Sequence, residues 1–280
     1  MMTESRFKWL YAAALIIGGT IVWQMVAFLL GHMFHWRPSR NLFDLCLILF
    51  HYLHVPGPVP MTLVNGLILY TMGTMGWLAI KHGYDVMKAN KLVKKYHDAA
   101  LSAENAAKFE LTPQQLQIVN YKAPLAMTIG LWRPRILVST GLMDMLEPNE
   151  LRAVIEHEKC HVQHRDPGAI FLLALISKSM RYIPIFEWIA HKYPMMIELR
   201  ADKYAIERME QAADLGSALL KLLKQTTKPR FPLSHASFAE TSMNVRIQHI
   251  LDPQKQVTLR WPLFRLAMSA LIFVLVMGLI

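Results

Sequence analysis

The sequence of 280 residues is 54% hydrophobic and only 18% charged, with a formal net charge of +10 at neutral pH. That apolar share exceeds that of an ordinary soluble domain, which excludes a purely water-dissolved globule and places part of the chain in lipid. No recognised nucleic-acid-binding motif accompanies the basic charge, and the two cysteines, Cys46 and Cys160, make no disulfide framework.

From Trp9 to Gly31 no charged residue occurs, and Gln24 is the only strongly polar one. As a helix this run crosses the roughly 30 Å hydrocarbon core. His32-Met33-Phe34-His35-Trp36 follows where a small-residue cleavage site would stand, so the run reads as a retained helix and not a signal peptide. Leu42–Val55 is apolar apart from Asp44, His51 and His54, and is short for a crossing. Met61–Ile80 is a second uncharged run, and Leu266–Ile280 is another, preceded by Trp261-Pro262 and Arg265. Lys81, Lys88, Lys91, Lys94 and Lys95 follow the Met61 run and put that side in the cytoplasm. If Leu42–Val55 crosses, Arg37 and Arg40 are cytoplasmic and Arg6 and Lys8 are outside; with three crossings the reverse holds. Either way the chain divides into membrane helices in residues 1–85, a cytoplasmic domain in 86–260 and a last membrane helix in 261–280. Juxtamembrane lysines facing anionic lipid account for much of the positive charge.

Within the cytoplasmic part, Ser102–Val119 reads as helix and loop, with Thr112-Pro113-Gln114-Gln115 as a helix start. Pro124–Ile129 and Arg135–Ser139 read as two strands joined through Gly130-Leu131-Trp132-Arg133-Pro134. Pro148 fits the first turn of a helix, with Glu147 as cap, and that helix stops before Asp166-Pro167. An apolar helix begins near Gly168 and is interrupted around Pro184. It either lies on the membrane-facing side of the domain or forms part of its core. Further helices are expected over about Met195–Ala213 and Gly216–Gln225, followed by an irregular loop over Thr226–Thr241.

His157 and His161 are four residues apart, so a helix presents both imidazoles on one face, where they can share one zinc ion. Glu158 lies beside them and can take a proton from an attacking water and return it to a leaving amine. A catalytic zinc site needs another protein ligand. His164 is about 10 Å along the helix axis from His157, too far for one helix to close three ligands round an ion. Glu198 on a separate helix is the better candidate, and His191 is a rival. Asp202, one turn after Glu198, is placed to accept the second ring N–H of a ligand histidine. Arg246 is open between pairing with an active-site carboxylate, stabilising an oxyanion and lying on the surface. Cys160 reads as packing.

The segment His157-Glu158-Lys159-Cys160-His161-Val162-Gln163-His164-Arg165-Asp166, followed by Glu198-x-x-Ala201-Asp202, resembles the zinc peptidases of the beta-lactam sensor (BlaR/MecR-type) membrane family. HtpX-type and CAAX prenyl proteases share both motifs. The similarity extends to Ala123-Pro124-Leu125, Gly130, Pro134, Ile136, Val138-Ser139 and Gly141-Leu142, and downstream to Arg246-Ile247 and Ile250-Leu251. It covers most of the chain from about residue 37 onward. The resemblance implies a mainly α membrane protein of the bacterial cytoplasmic membrane. Four transmembrane helices would carry a cytoplasmic α+β zincin-like (gluzincin) domain between the third and fourth. Arg37-Pro38-Ser39-Arg40 resembles the start of the family's second helix, which favours four crossings with the N-terminus outside. The strand Arg135, Ile136, Leu137, Val138 resembles the family's substrate-binding edge. The best-known sensors continue into an extracytoplasmic penicillin-binding domain, whereas this sequence ends at Ile280, so sensing through such a domain is not expected.

These readings favour a Zn2+-dependent metalloendopeptidase that cleaves a cytoplasmic or membrane-proximal protein in regulation. The resemblance, and not the residues, implies a transcriptional repressor or the chain itself as its target. A quality-control protease of the HtpX kind is one alternative. A non-catalytic membrane receptor holding structural zinc is the other, against which Glu158 stands, since a structural site needs no base. The expected partners are a protein or peptide substrate and the bilayer, with no nucleic acid; homo-oligomerisation is left open.

Overall fold

The computed structural model describes residues 4–34, 52, 58–224, 245–250 and 262–277. Leu42–Val55, apart from Tyr52, and the loop Thr226–Thr241 lie outside the described residues. The described chain is mainly helical with one small sheet, and it divides into two compact units.

The first unit comprises Met1–Ile80, Leu172–Tyr193 and Leu259–Ile280. Helix α1 (Glu4–Phe34) and helix α2 (Pro58–Tyr96) contain the two described stretches long and apolar enough to cross a membrane, Lys8–Gly31 and Met61–Tyr96. Large apolar side chains point out of the protein along both: Trp9, Ile16 and Trp23 on α1, and Leu63, Leu69 and Trp77 on α2 are each more than half exposed. An outward apolar surface of this kind is stable against lipid and costly in water. Inside the unit, Thr71 Oγ1 lies 3.2 Å from the Tyr182 hydroxyl, and Tyr11 stacks on Tyr193. The last described helix, α9 (Leu263–Met277), hydrogen-bonds through the Ser269 hydroxyl to the Ile185 amide.

The second unit comprises Lys81–Phe171 and Pro194–Thr258. After α2 come β1 (His97–Asp98), α3 (Ala99–Lys108), β2 (Leu116–Val119), β3 (Ala126–Ile129), β4 (Arg135–Ser139) and α4 (Thr140–Met145). Then follow α5 (Pro148–His164), α6 (Asp166–Ser179), α7 (Pro184–Met209) and α8 (Ala213–Lys224). The sheet order is β1-β2-β4-β3, with β2 parallel to β4 and the other pairs antiparallel. Side chains alternate along β4 as the pleat requires. Ile136 and Val138 join a core with Leu116, Leu142, Val154 and Ile155, while Leu137 turns to the opposite face, against Ala89 and Val93 of α2.

Three expectations are corrected here. Thr112 does not start a helix: the Gln115 side chain accepts from the Thr112 amide and closes a turn, and residues 116–119 form strand β2. Four apolar-rich residues carry no readable period, and their pairing partner lies about twenty residues away, so nothing local announces this strand. The β4 segment is not an edge. It is paired on both sides, so its backbone donors and acceptors are taken, and the end strands of the sheet are β3 and the two-residue β1. Helix α7 begins at Pro184 and runs through Pro194 to Met209, where separate helices were expected. Proline suits the first helical turn, and the internal Pro194 is tolerated because Ile197, Leu199, Ala201 and Ala205 are buried along the same helix.

Two glycines hold the β3–β4 hairpin in place. Gly130 has φ +103°, and a Cβ there would sit 2.7 Å from the Arg133 carbonyl oxygen. Gly141 passes so close to the Lys122 carbonyl that no Cβ fits.

Candidate metal centre

Helix α5 carries the centre. Its N-terminus is fixed by Pro148 and by the Glu150 carboxylate, which accepts from the Glu147 amide at 2.8 Å. Glu150 is buried, and Lys221 and Ser217 of α8 reach it at 2.7 and 2.5 Å. Burial works to raise its pKa, but these hydrogen bonds outweigh it and keep the carboxyl below its ordinary value. The helix is thereby locked against α8, with its next turns inside the core: His157, Glu158 and His161 are 5, 7 and 8% exposed.

The helical spacing puts the two rings edge to face, with their Nε2 atoms 3.1 Å apart. Glu198 of α7 closes the group, its carboxylate oxygens 3.4 Å from His157 Nε2 and 3.7 Å from His161 Nε2. Ligands about 2.0–2.1 Å from a tetrahedral zinc ion stand about 3.3 Å from one another. The three observed separations bracket that value. Among the described residues this trio is the group whose donor atoms converge for a metal; His164 and His191 are not in it. His164 Nδ1 instead lies 2.9 Å from the Cys160 carbonyl oxygen, and Cys160 is fully buried.

Behind each histidine stands a carboxylate, and behind each carboxylate an arginine. His157 Nδ1 lies 2.9 Å from Asp202 Oδ1, in a contact too bent for a good hydrogen bond. Asp202 is gripped by Arg246, whose Nε and Nη2 donate at 2.8 and 2.6 Å. Arg246 comes from the helical segment 245–250, and its Nη1 also reaches Glu198 at 2.9 Å. The second histidine follows the same scheme: His161 Nδ1 is 2.8 Å from Asp166 Oδ2, and Arg200 Nη2 donates to both Asp166 oxygens at 2.6 and 2.7 Å.

With both Nδ1 atoms facing carboxylates, both Nε2 lone pairs point at each other and at Glu198. Three acceptors so close repel unless a cation lies between them. The electrostatics agree. Burial alone would lower the His157 pKa, but Asp202 and Glu198 overcome it and push the imidazole up to about 9. Burial would raise the Glu198 and Asp202 carboxyls, yet Arg246 and His157 hold both well below the usual range. Arg246 itself is raised by those carboxylates against the effect of burial. The cage selects positive charge, and the donor set fits zinc.

Glu158 is not among the converging ligands. Its Oε2 accepts from Thr128 Oγ1 at 2.7 Å, which ties the carboxylate to the end strand β3. Thr128 and Asp166 escape a reading of the sequence. Asp166 looks like a helix stop because it precedes Pro167. What turns it back is Arg165, the C-cap of α5, in the left-handed conformation (φ 53°, ψ 40°). A hydrogen-bonding acid five residues after His161 is the signal available for Asp166; Thr128 has none. The expected positions of His157, His161, Glu198, Glu158, Asp202 and Arg246 all fall within this one cluster. Arg135, Ile136, Leu137 and Val138 lie on the inner strand.

The profile of the BlaR1 peptidase M56 family matches residues 60–250. Among known proteins, the chain is 37% identical over 76 residues to protease HtpX homolog 2 of Methanosarcina mazei, covering 26% of each. It is 37% identical over 79 residues to the protease HtpX homolog of Methylibium petroleiphilum, 28% of this chain and 26% of that protein. With the protease HtpX homolog of Thermoplasma acidophilum the identity is 44% over 48 residues, 17% of this chain and 15% of that one. The chain thus spans about a quarter or less of the length of these curated relatives.

Proposed function

The chain belongs to the BlaR1 peptidase M56 family of membrane metalloproteases, and from that premise we propose that it is a zinc-dependent endopeptidase acting in regulatory proteolysis. The observation that carries the metal and the chemistry is the His157–His161–Glu198 trio at tetrahedral spacing with Glu158 beside it. Zinc held there supplies Lewis acidity toward a water and a peptide carbonyl. The side chains supply the rest. Glu158, buried and held by Thr128, takes the proton of the attacking water and returns it to the leaving nitrogen. Asp202 and Asp166 fix the histidine tautomers, and Arg246 keeps Glu198 ionised. The substrate enters as an extended peptide along β3, the end strand that carries Thr128, by backbone hydrogen bonding. This replaces the expected docking on Arg135–Val138.

The substrate is a cytoplasmic or membrane-proximal protein such as a repressor, or the chain itself. The protein sits in the bacterial cytoplasmic membrane with four crossings, the N-terminus outside and the 86–260 domain in the cytoplasm. Apolar α1 and α2 and the lysines after Met61–Ile80 support this orientation.

Glu158→Gln tests the reading: it is expected to keep about one zinc per chain and to lose hydrolysis of an unfolded test protein by about 10²–10⁴-fold. Glu198→Ala is expected to lose the metal as well. Wild type that holds zinc and cleaves nothing would turn the assignment to a receptor. Proteins that accumulate in cells carrying Glu158→Gln identify the substrate. For orientation, cysteines placed at Gly57 and at Arg37 are probed with an impermeant reagent outside the cell: Gly57 should react while Arg37 is protected, and labelling at Arg37 rejects four crossings.

A further inference from the structure

We propose that a cavity in the unit that carries the metal centre, bounded by α2, β1, β2 and β4, is an anion site that takes a phosphate group. The cavity holds about 260 Å³ and is lined by Asn90, Val93, Lys94, His97, Gln117 and Arg135. Two of these side chains are basic and a third is an imidazole; none is acidic. Among the described residues, no ion pair involves Lys94, His97 or Arg135, in contrast to Arg200 and Arg246, which both hold carboxylates. Arg135 spends Nη2 on a neutral acceptor, Asn90 Oδ1, at 2.6 Å. Its Nε is buried with no hydrogen-bond partner, and so is Gln117 Oε1.

Buried polar atoms are rarely left unpaired, and Arg135 Nε, sealed from water on a half-buried side chain, has no partner. Burial pulls the Arg135 pKa down and no carboxylate offsets it. An anion in the cavity supplies the missing partner. The geometry favours phosphate over a carboxylate, which one arginine fork satisfies alone. Here donors come from two elements: Asn90 and Lys94 from α2 and Arg135 from β4. A tetrahedral group with several oxygens can engage them together. The His97 ring is already positioned, its Nε2 3.1 Å from Ser102 Oγ. Ser102 gives its own proton to the Asp98 carbonyl, so His97 Nε2–H is spent on Ser102 and the ring serves as a fixed wall of the cavity. Rotating the Gln117 amide by half a turn would exchange its oxygen and nitrogen and present donors to an anion.

The phosphate can belong to a free anion or to a lipid headgroup, since α2 also carries Lys81, Lys88, Lys91 and Lys95 after its uncharged run Met61–Ile80. The full chain, reconstituted in phosphatidylcholine nanodiscs, is titrated with inorganic phosphate by calorimetry at fixed ionic strength. Saturable binding is expected, weakened at least tenfold by Lys94→Ala and by Arg135→Gln and unchanged by Lys95→Ala, with zinc content equal in all. Lys94 is exposed, so Lys94→Ala decides the matter should Arg135→Gln fail to fold. The titration is repeated in discs where phosphatidylglycerol replaces part of the phosphatidylcholine. Weaker apparent phosphate binding there, lost in Lys94→Ala, assigns the site to a lipid headgroup; equal binding assigns it to free phosphate. Three results overturn the proposal: no saturable binding in phosphatidylcholine, undiminished binding in Lys94→Ala, or a loss in Lys95→Ala equal to that in Lys94→Ala. The second places phosphate outside this cavity, and the third reduces the effect to surface charge.

Discussion

The two arms that hold the ligand histidines share one composition and differ in reach. His157 leans on Asp202 and Arg246; His161 leans on Asp166 and Arg200. Arg246 grips its aspartate with two nitrogens and extends a third to Glu198, so it supports a ligand as well as a ligand's partner. Arg200 holds Asp166 through Nη2 and touches no ligand. The Arg200 arm is also closed within a short reach of sequence, α5, the turn at Arg165 and α7, whereas Arg246 arrives on segment 245–250. The lesson is that one arm orients a ring, while the other sets the charge of the whole cage. The arm carried on the later segment is the one whose displacement would disarm the centre.

The largest difference is expected from removing each arginine. Arg246→Ala strands two carboxylates, Glu198 and Asp202, and breaking such a buried pair costs about 3–5 kcal/mol. Arg200→Ala strands Asp166 alone. Chelator competition on the purified variants should show a clearly larger loss of zinc affinity, and a larger drop in thermal midpoint, for Arg246→Ala. Equal losses would mean the arms are equivalent and the contact with Glu198 adds nothing.

Next come the aspartates. Asp202→Asn and Asp166→Asn are each expected to weaken zinc binding by about 10–100-fold, because each removes the group that orients a ligand ring. An Asp166→Asn protein with unaltered affinity would break the parallel and leave His161 supported by its packing.

Acidity probes the cage itself. With no metal bound, His157 titrates at about 9, above the 6.5 of an unfolded imidazole. A raised pKa of this kind stabilises the fold fully below pH 6.5, and that stability fades as pH rises through 9. The thermal midpoint of chelator-treated protein should therefore fall from pH 6.5 to 9 more than that of the zinc-loaded form. Zinc affinity should rise over the same window, since the metal must displace the His157 proton. A metal-free midpoint flat over this range would show that the carboxylates do not hold a proton on His157.

The smallest effect on the metal is expected from Thr128→Val, which touches neither arm. Losing one hydrogen bond to a charged group, about 1.5–3 kcal/mol, should slow hydrolysis by about 10–150-fold and leave zinc content unchanged. If Thr128→Val lowered zinc affinity as Asp166→Asn does, strand β3 would be part of the metal cage and not of the machinery around Glu158.

How much of this is written in the chain depends on distance along it. The i,i+4 pair on α5, its flanking Glu158 and the capped start at Pro148 are local features, and helical geometry alone places them on one surface. The Glu198–Asp202 pair repeats that logic on α7. The apolar stretches of α1 and α2 are read from composition, because lipid imposes length and charge limits on any helix that crosses it. The β3–β4 hairpin is legible for the same reason, its glycines and prolines punctuating two short runs.

What the sequence by itself determined, then, is each element that satisfies its hydrogen bonds internally or with a close neighbour. Only the tertiary structure decided which strand is the edge, which acid backs His161, and that Arg246 closes the cage. Strand β2 inserts beside β4 and denies it a free edge, although the two are separated by the whole hairpin. Asp166 becomes a partner of His161 through a left-handed Arg165 whose conformation no residue type there demands. Arg135, expected at a substrate edge, lines an acid-free cavity, because the chain that packs over β4 brings lysine and asparagine and no carboxylate. Pairing of this kind is set by which surfaces the folded core brings together. The free energy of such contacts comes from excluding water between groups that the linear order keeps apart.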